Sequence, residues 1–126
     1  MPDRDPGVAY DVRFADETKK EFRDLGHSAP ADILSAIQKK LATRPLDYGE
    51  PLGKGLAGYR KLPVGQWRVV YYVEEKKVLV LVLAVGKRAA GDRENIYDQI
   101  KGDDVNARRD VLRRRIEQEA RARGER

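Results

Sequence analysis

The sequence predicts an α+β fold: a two-layer domain in which an N-terminal strand and a helical hairpin pack on an antiparallel sheet (β-α-α-β-β-β-α), with a basic C-terminal helix. Three observations support this. An alternating segment opens the chain, two stretches of helical periodicity follow it, and two almost wholly apolar strands then succeed one another without an intervening helix. Helices that are segregated from consecutive strands are typical of α+β folds. We expect a chain of 126 residues to build one such core.

The N-terminal part of the chain supplies the first strand and the helical hairpin. Residues 8–14 alternate between apolar and polar side chains, which predicts a strand. Asp16 is placed to cap the next helix, and Pro30 suits the first turn of a second helix, which ends before Pro45. The buried stripe of this second helix is predicted from four apolar residues at helical spacing, Ile33, Leu34, Ile37 and Leu41.

The middle of the chain supplies the other strands. Residues 45–58 are rich in glycine and proline and predict a loop, and residues 59–62 predict a short strand. Residues 67–73 and 78–85 are apolar on both faces and are joined by the charged turn at residues 74–77. We therefore expect two central strands that are covered, at least in part, on both sides.

The C-terminal segment predicts a helix with a narrow apolar face. The helical pattern begins at Ile96, is interrupted by Gly102 and resumes at Asp104, and the segment is dense in arginine and glutamate. The sequence leaves open whether this helix docks on the sheet, remains solvated or extends a nucleic-acid surface. We divide the chain into a domain at residues 8–100 and a basic helical extension at residues 101–126. The apolar stripe of the extension consists of Val105, Leu112, Ile116 and Ala120.

Composition excludes several kinds of site. The chain contains no cysteine, which excludes disulfides and thiolate zinc sites. The longest apolar run, residues 78–85, is too short to cross a bilayer, and the charged residues 1–7 do not resemble a signal peptide. These observations predict a cytoplasmic protein that does not associate with membranes.

The positive charge is concentrated in the second half of the chain. The formal net charge is +5, with 8 basic and 10 acidic side chains in residues 1–50, 9 and 5 in residues 51–100, and 9 and 6 in residues 101–126. The basic excess begins where the central strands begin, and it favours encounters with polyanions such as nucleic acids. A basic surface that serves only solubility is the alternative.

Two arginines flank the predicted pair of central strands. Arg68 lies near the start of the first strand, and Arg88 follows the end of the second. In an antiparallel hairpin these two positions lie near the same end of the sheet. Guanidinium groups are always charged and offer a planar fork of donors that suits phosphate. The arrangement predicts a phosphate clamp and therefore a nucleic-acid ligand.

The order and spacing of these features resemble the RelE/ParE superfamily of bacterial toxins over residues 8–100. The Gly-Lys-Arg sequence at residues 86–88, with Tyr97 downstream, is more similar to the RelE branch than to the ParE branch. The features that carry the resemblance are the strand at residues 10–14, the hairpin that ends at Leu41 and Pro45, Pro51-Leu52 with its glycines, Gly58-Tyr59-Arg60, Gly65-Gln66-Trp67-Arg68-Val69-Val70-Tyr71 and Val85-Gly86-Lys87-Arg88.

The resemblance to the RelE branch implies the toxin of a toxin–antitoxin pair. Members of that branch cleave messenger RNA in the ribosomal decoding site and are silenced by a co-expressed antitoxin, whereas members of the ParE branch poison DNA gyrase. For this chain it implies a ribosome-dependent mRNA endonuclease that inhibits translation without a cofactor or metal. The implied partners are the ribosome, mRNA and a RelB-like antitoxin in a hetero-oligomer. A gyrase inhibitor and an inactive homologue that binds nucleic acid or antitoxin are the alternatives.

The resemblance also implies the site residues. Arg68 corresponds to the arginine in the middle of the sheet, Arg88 to the arginine after the last strand, and Tyr97 to the C-terminal tyrosine. The basic pair of the family falls on Arg60 and Lys61, whose register stays open, because adjacent residues of a strand face opposite sides. We expect catalysis from Arg68, Arg88, Tyr97 and Lys61, and RNA binding from Arg60, Lys54 and Lys87.

Cleavage of RNA without a metal requires the 2′-hydroxyl to attack the adjacent phosphate. The only histidine, His27, is expected in a surface turn between the two helices. Catalysis then depends on electrostatics, with Arg68 stabilising the phosphorane and Arg88 the departing oxygen. Lys61 or Tyr97 can accept the proton only in a deprotonated form, which neighbouring cations favour.

Each of these residues also has a structural alternative. Arg68 could form an ion pair with an acidic helix residue such as Glu21. Arg88 could be a solvated residue at a strand end, and Tyr97 could pack against the last helix.

Overall fold

The computed structural model describes residues 9–52, 56, 58–87 and 102–124 of the chain. It contains a five-stranded sheet in the order β1-β5-β4-β3-β2. The strands are β1 (Asp11–Phe14), β2 (Glu50–Pro51), β3 (Tyr59–Val64), β4 (Trp67–Glu74) and β5 (Leu79–Lys87). The helices are α1 (Glu17–Asp24), α2 (Ala29–Ala36), which is continued by a π-helical turn (Ile37–Leu41), and α3 (Gly102–Ala122).

The predicted α+β class is confirmed, and the sheet differs from the expectation in two respects. The strands β3, β4 and β5 are antiparallel neighbours, but β1 lies parallel to β5, with Asp11 opposite Leu79 and Phe14 opposite Val82. A parallel neighbour requires a long crossover, which the chain between β1 and β5 provides. The short strand β2 lies within the segment that predicts a loop, and it pairs antiparallel with β3.

The helical hairpin covers one face of the sheet. Three of the four residues predicted for the stripe of α2 are buried, and they pack against alternate residues of β3, β4 and β5. The prediction for the fourth residue, Leu34, is wrong, because 45% of it is exposed. It follows Ile33 directly, and successive helical residues point about 100° apart around the axis. The buried residues of the stripe are Ile33, Ile37 and Leu41.

Helix α3 covers part of the opposite face. The leucines of β5 point away from the hairpin because side chains alternate along a strand. They pack against Val105 and Leu112 of α3, which are both buried. The expected cover on both sides of β5 is confirmed, and α3 docks on the sheet. The leucines concerned are Leu79, Leu81 and Leu83.

Ion pairs fasten α3 to the N-terminal part of the chain. Arg115 donates to the carboxylate of Asp16 and to the backbone carbonyl of Phe14. Glu119 accepts from Arg13, and this hydrogen bond holds the pKa of the Glu119 carboxyl below its ordinary value. These arginines are therefore engaged within the protein.

The side of α3 that faces β3 and β4 carries two further arginines. Arg109 lies over two aromatic rings, with its Cζ atom 5.6 Å from the ring centre of Tyr59 and 5.2 Å from that of Tyr72. Arg113 donates from Nε and Nη2 to Oε1 of Glu74, at 3.0 and 2.8 Å. Each cation–π contact of this kind stabilises by about 0.5–2 kcal/mol, depending on solvent exposure.

Tyr71 and Arg60 anchor the loop that precedes β2. Tyr71 is fully buried, and its hydroxyl donates to the carbonyls of Pro45 and Tyr48, at 2.8 and 2.7 Å. Burial raises the pKa of Tyr71, and a hydrogen bond from Arg60 opposes this shift. Arg60 also donates from Nη2, at 3.3–3.4 Å, to three carbonyls of the same loop, those of Leu46, Tyr48 and Gly49.

We expect Gly49→Ala to destabilise the protein by roughly 2–5 kcal/mol, the sum of a left-handed backbone and overpacking. Gly49 has a φ of +75°, and an added Cβ would lie 2.5 Å from the Lys61 carbonyl oxygen and from the Tyr71 hydroxyl. Gly26→Ala is the matched control, because its φ is +98° and nothing lies within 4 Å of the added atom. Urea denaturation measures the free energy of unfolding that each variant loses. Equal losses for the two variants would contradict the steric argument.

Candidate functional site

Lys61 and Arg68 lie on the face of the sheet opposite to the helical hairpin. Lys61 pairs with Val70, and Pro63 pairs with Arg68, between β3 and β4. Residues that pair across a ladder share a face, and Val69, between the two β4 residues, belongs to the hairpin core. We call this region, defined by Lys61 and Arg68, the basic end of the sheet.

Arg68 is held over the tight turn between β3 and β4. Its Nη1 donates to the carbonyls of Gly65 and Trp67, both at 2.7 Å. Gly65 has a φ of +59°, a conformation that glycine adopts without a steric penalty. On the other side, Gly86 of β5 lies opposite Arg68 and carries no side chain. The guanidinium therefore has a fixed position and a small neighbour, which together suit the approach of a phosphate.

Lys61 faces an acidic residue that sequence reasoning missed. Its Nζ lies 3.8 Å from Oε2 of Glu50, and the two residues are directly opposite on β3 and β2. The side chains are 33% and 68% exposed, and an exposed pair of this kind contributes about 0.2–1 kcal/mol. A phosphate can therefore compete with Glu50 for the ammonium group. No signal in a glycine- and proline-rich loop predicts a strand that places Glu50 there.

The structure separates the two members of the basic pair. Arg60 lies opposite Tyr71, on the hairpin face, whereas Lys61 lies on the face of Arg68. The Arg60 guanidinium binds the backbone carbonyls of the loop that it anchors. This geometry favours a structural task for Arg60 and leaves Lys61 as the member of the pair that lies beside Arg68.

Lys87 is brought to the same end of the sheet. It is exposed and ends β5 opposite Trp67, next to the glycine that faces Arg68. The other predicted site residues lie outside the described residues, namely Arg88, Tyr97 and Lys54. The structure thus brings together Lys61 and Arg68 on one face. Lys87 lies at the same end of the sheet but on the hairpin face, because its partner Trp67 packs against the hairpin core, and Arg60 lies on that face as well.

Tyr59 and Tyr71 do not supply a proton acceptor at neutral pH. Burial raises the pKa of Tyr59 and that of Tyr71, so both hydroxyls stay protonated. His27 is exposed in the turn between α1 and α2. Within the described ranges, no group of three or more His, Cys, Asp and Glu residues is arranged to hold a metal ion. In its described part, the site therefore contributes positively charged side chains and neither a histidine nor a metal-binding group.

The ion pair considered for Arg68 and Glu21 is not formed. Oε2 of Glu21 instead accepts a hydrogen bond from Arg108 of α3, at 2.8 Å. Sequence reasoning missed this contact because the two residues are 87 positions apart and no local pattern links α1 to α3. In the part of the chain that the structure describes, no helix is long and apolar enough to span a membrane.

Comparisons with known proteins show which family the chain resembles. Residues 12–90 match the family described as the ParE toxin of the type II toxin–antitoxin system parDE. The chain is 35% identical to Toxin RelG of Mycobacterium tuberculosis over 86 residues, which are 65% of this chain and 94% of the relative. It is 28% identical to the mRNA interferase toxin RelE of Escherichia coli over 92 residues, which are 73% of this chain and 94% of the relative.

A solved structure shares the fold. The toxin–antitoxin complex RelBE2 from Mycobacterium tuberculosis contains a chain that superposes with a TM-score of 0.62 at 29% sequence identity. The match covers 68% of this chain and 99% of that chain. The family match ends at residue 90, before the start of α3 at Gly102.

Proposed function

Because this chain belongs to the RelE/ParE superfamily and is a RelE-like toxin of a type II toxin–antitoxin system, we propose that it cleaves mRNA on the ribosome and so inhibits translation. The observation that carries the proposal is the placement of Lys61 and Arg68 on one face of the sheet, with Lys87 at the same end. The name mRNA interferase, which belongs to the Escherichia coli relative, supports the same activity.

The chemistry we propose is an internal transfer at phosphorus. The 2′-oxygen attacks the adjacent phosphate, the bond from phosphorus to the 5′-oxygen breaks, and a 2′,3′-cyclic phosphate forms. The 5′-oxygen leaves as an alkoxide and takes up a proton from water to become a 5′-hydroxyl. Arg68 stabilises the phosphorane and Arg88 the departing oxygen, each by roughly 3 kcal/mol as for comparable preorganised donors. Lys61 or Tyr97 accepts the proton of the 2′-hydroxyl. Lys54 and Lys87 are the proposed RNA contacts, whereas Arg60 holds the loop before β2 through its backbone carbonyls. No metal takes part in the proposed step.

The ribosome and an antitoxin are the partners we propose for this toxin, and we propose the cytoplasm as its location. A site of fixed cations without a histidine suits an enzyme that takes the positioning of its substrate from a larger assembly. The structural neighbour RelBE2 is a toxin–antitoxin complex, which supports a RelB-like antitoxin in a hetero-oligomer. Residues 8–100 form the proposed toxin domain, and residues 101–126 the proposed extension.

Inhibition of DNA gyrase is the second candidate, because the matching family is described as a ParE toxin. A toxin of that kind acts by binding and cuts no RNA. DNA damage with translation spared at early times would distinguish it from a ribonuclease.

Induction of the chain in bacteria, followed by mapping of the 5′ ends of cellular mRNA, tests the proposal. We expect new in-frame cuts that disappear in the Arg88→Ala variant and persist in Lys76→Ala, which removes an exposed cation at the other end of the β4–β5 hairpin. Growth arrest without cuts would replace the proposal with gyrase inhibition. Absence of arrest would indicate a protein that only binds.

A further inference from the structure

The last part of β5 has a lateral edge that no strand covers within the described residues. Strand β1 ends with Phe14 opposite Val82, and Ala15 donates one further hydrogen bond to the Val82 carbonyl. Beyond that point, β5 continues to Lys87 with β4 on its other side. Buried backbone groups must find partners, so the edge of this segment needs a substitute for a strand.

Two side chains from different helices supply that substitute. Oε1 of Glu21, in α1, accepts a hydrogen bond from the amide of Val85 at 3.0 Å. Nη1 of Arg108, in α3, donates to the carbonyl of Leu83 at 2.9 Å and to Oε2 of Glu21 at 2.8 Å. Only 24% of the Glu21 side chain and 20% of the Arg108 side chain are exposed. Charge-assisted bonds in such a setting are stronger than neutral ones and fix orientation.

The segment that this pair holds leads directly to the basic end of the sheet. Gly86 follows Val85 and lies opposite Arg68, and Lys87 comes next. A shift of β5 at Val85 therefore changes the spacing between Arg68 and everything that follows β5. Displacements of about 1 Å are enough to lower the rate of an enzyme a hundredfold when they disturb a reacting geometry.

We propose that Glu21 and Arg108 are positioning residues, which hold the end of β5 in place for RNA cleavage and thereby make the docking of α3 a requirement for activity. The inference rests on the proposed function. It assigns a task to a helix that lies beyond the family match at residues 12–90.

If Glu21 and Arg108 only stabilised the fold, their substitution should affect activity no more than substitution of any other residue that fastens α3. The chain offers such a residue as a matched control. Arg115 makes the same kind of contacts as Arg108, with one carboxylate and one backbone carbonyl, but its partners are Asp16 and Phe14. Loss of Arg115 loosens α3 without freeing the end of β5. Arg115→Ala therefore separates fastening of the helix from positioning of the site.

The experiment measures cleavage of mRNA on programmed ribosomes by full-length variants that remain folded at the assay temperature. We expect Glu21→Ala and Arg108→Ala to lower kcat about tenfold or more with little change in KM, and Arg115→Ala to stay within about twofold of wild type. Glu21→Gln keeps an acceptor for the Val85 amide and should retain more activity than Glu21→Ala. The double variant should lose no more than either single variant, because the pair acts as a unit.

Two results would overturn the inference. Glu21→Ala could keep the kcat of wild type, or Arg115→Ala could lose as much as Glu21→Ala. If the wild type does not cleave RNA, the proposed function fails, and hydrogen exchange at the Val85 amide decides the positioning role alone. Faster exchange in Glu21→Ala than in Arg115→Ala would support that role, and equal exchange would refute it.

Discussion

A chain that ends at residue 101 will not reach a stable folded state. Removal of α3 uncovers the leucines of β5 and loses the burial of Val105 and Leu112, each worth about 1.5–3 kcal/mol. It also removes the hydrogen bonds of Arg108 to the Leu83 carbonyl and to Glu21, and the ion pairs to the N-terminal segment. Native domains are stable by only about 5–15 kcal/mol, so losses of this size remove most of that margin.

Thermal unfolding followed by circular dichroism, together with binding of a hydrophobic dye, measures this effect. Leu112→Ala should destabilise by about 2–5 kcal/mol, because Leu112 is 1% exposed and its loss leaves a cavity. Val111→Ala is the matched control on the same helix, because Val111 is 51% exposed and should change stability by about 0.5 kcal/mol or less. A truncated chain that melts cooperatively near the temperature of the full-length protein would contradict the prediction. The proposed boundary at residue 100 would then also separate two folding units.

Replacement of Arg68 by alanine should lower kcat for ribosome-dependent cleavage by about 10²–10³-fold, the usual loss of one preorganised donor to a developing negative charge. The guanidinium is held in place by the carbonyls of Gly65 and Trp67, so its orientation is set before the substrate arrives. Arg68→Lys should recover only part of the rate, because an ammonium group keeps the charge and loses the planar fork.

Arg114→Ala is the control for the loss of one positive charge. Arg114 is exposed on α3, away from the basic end of the sheet, and its replacement should leave kcat close to that of wild type. Rates are compared with thermal unfolding of each variant, so that a folding defect is not mistaken for a catalytic one. Equal rates for the Arg68 and Arg114 variants would remove Arg68 from the proposed site.

The local features of the fold could be predicted from the sequence. Alternation identified β1, helical spacing placed Ile33, Ile37 and Leu41 in the core, and continuous apolar runs identified β4 and β5 as covered strands. The parallel pairing of β1 with β5 could not be predicted, because periodicity reports which side of a strand is buried and not which neighbour lies beside it. The strand β2 was missed because its two residues lie among glycines and prolines.

For the candidate site, too, local features could be predicted from the sequence and long-range contacts could not. Alternation alone separates Arg60 from Lys61, and the structure places them on opposite faces. The contacts of Glu50 with Lys61 and of Glu21 with Arg108 could not be predicted, because each depends on how distant segments meet. Side chains that bind a neighbour far away in sequence leave no periodic signal at their own position.

The pairing of the first strand with the last has a consequence for the order of events during synthesis. Strand β1 must wait for residues 79–82, and the bonds of α3 to Arg13, Asp16 and Glu21 join residues 106, 99 and 87 positions apart. Contacts of such long range form late, after the cost of closing large loops has been met. A nascent chain on its ribosome therefore lacks both the partner of β1 and the helix that holds β5, and the native arrangement completes only after the last segment has emerged.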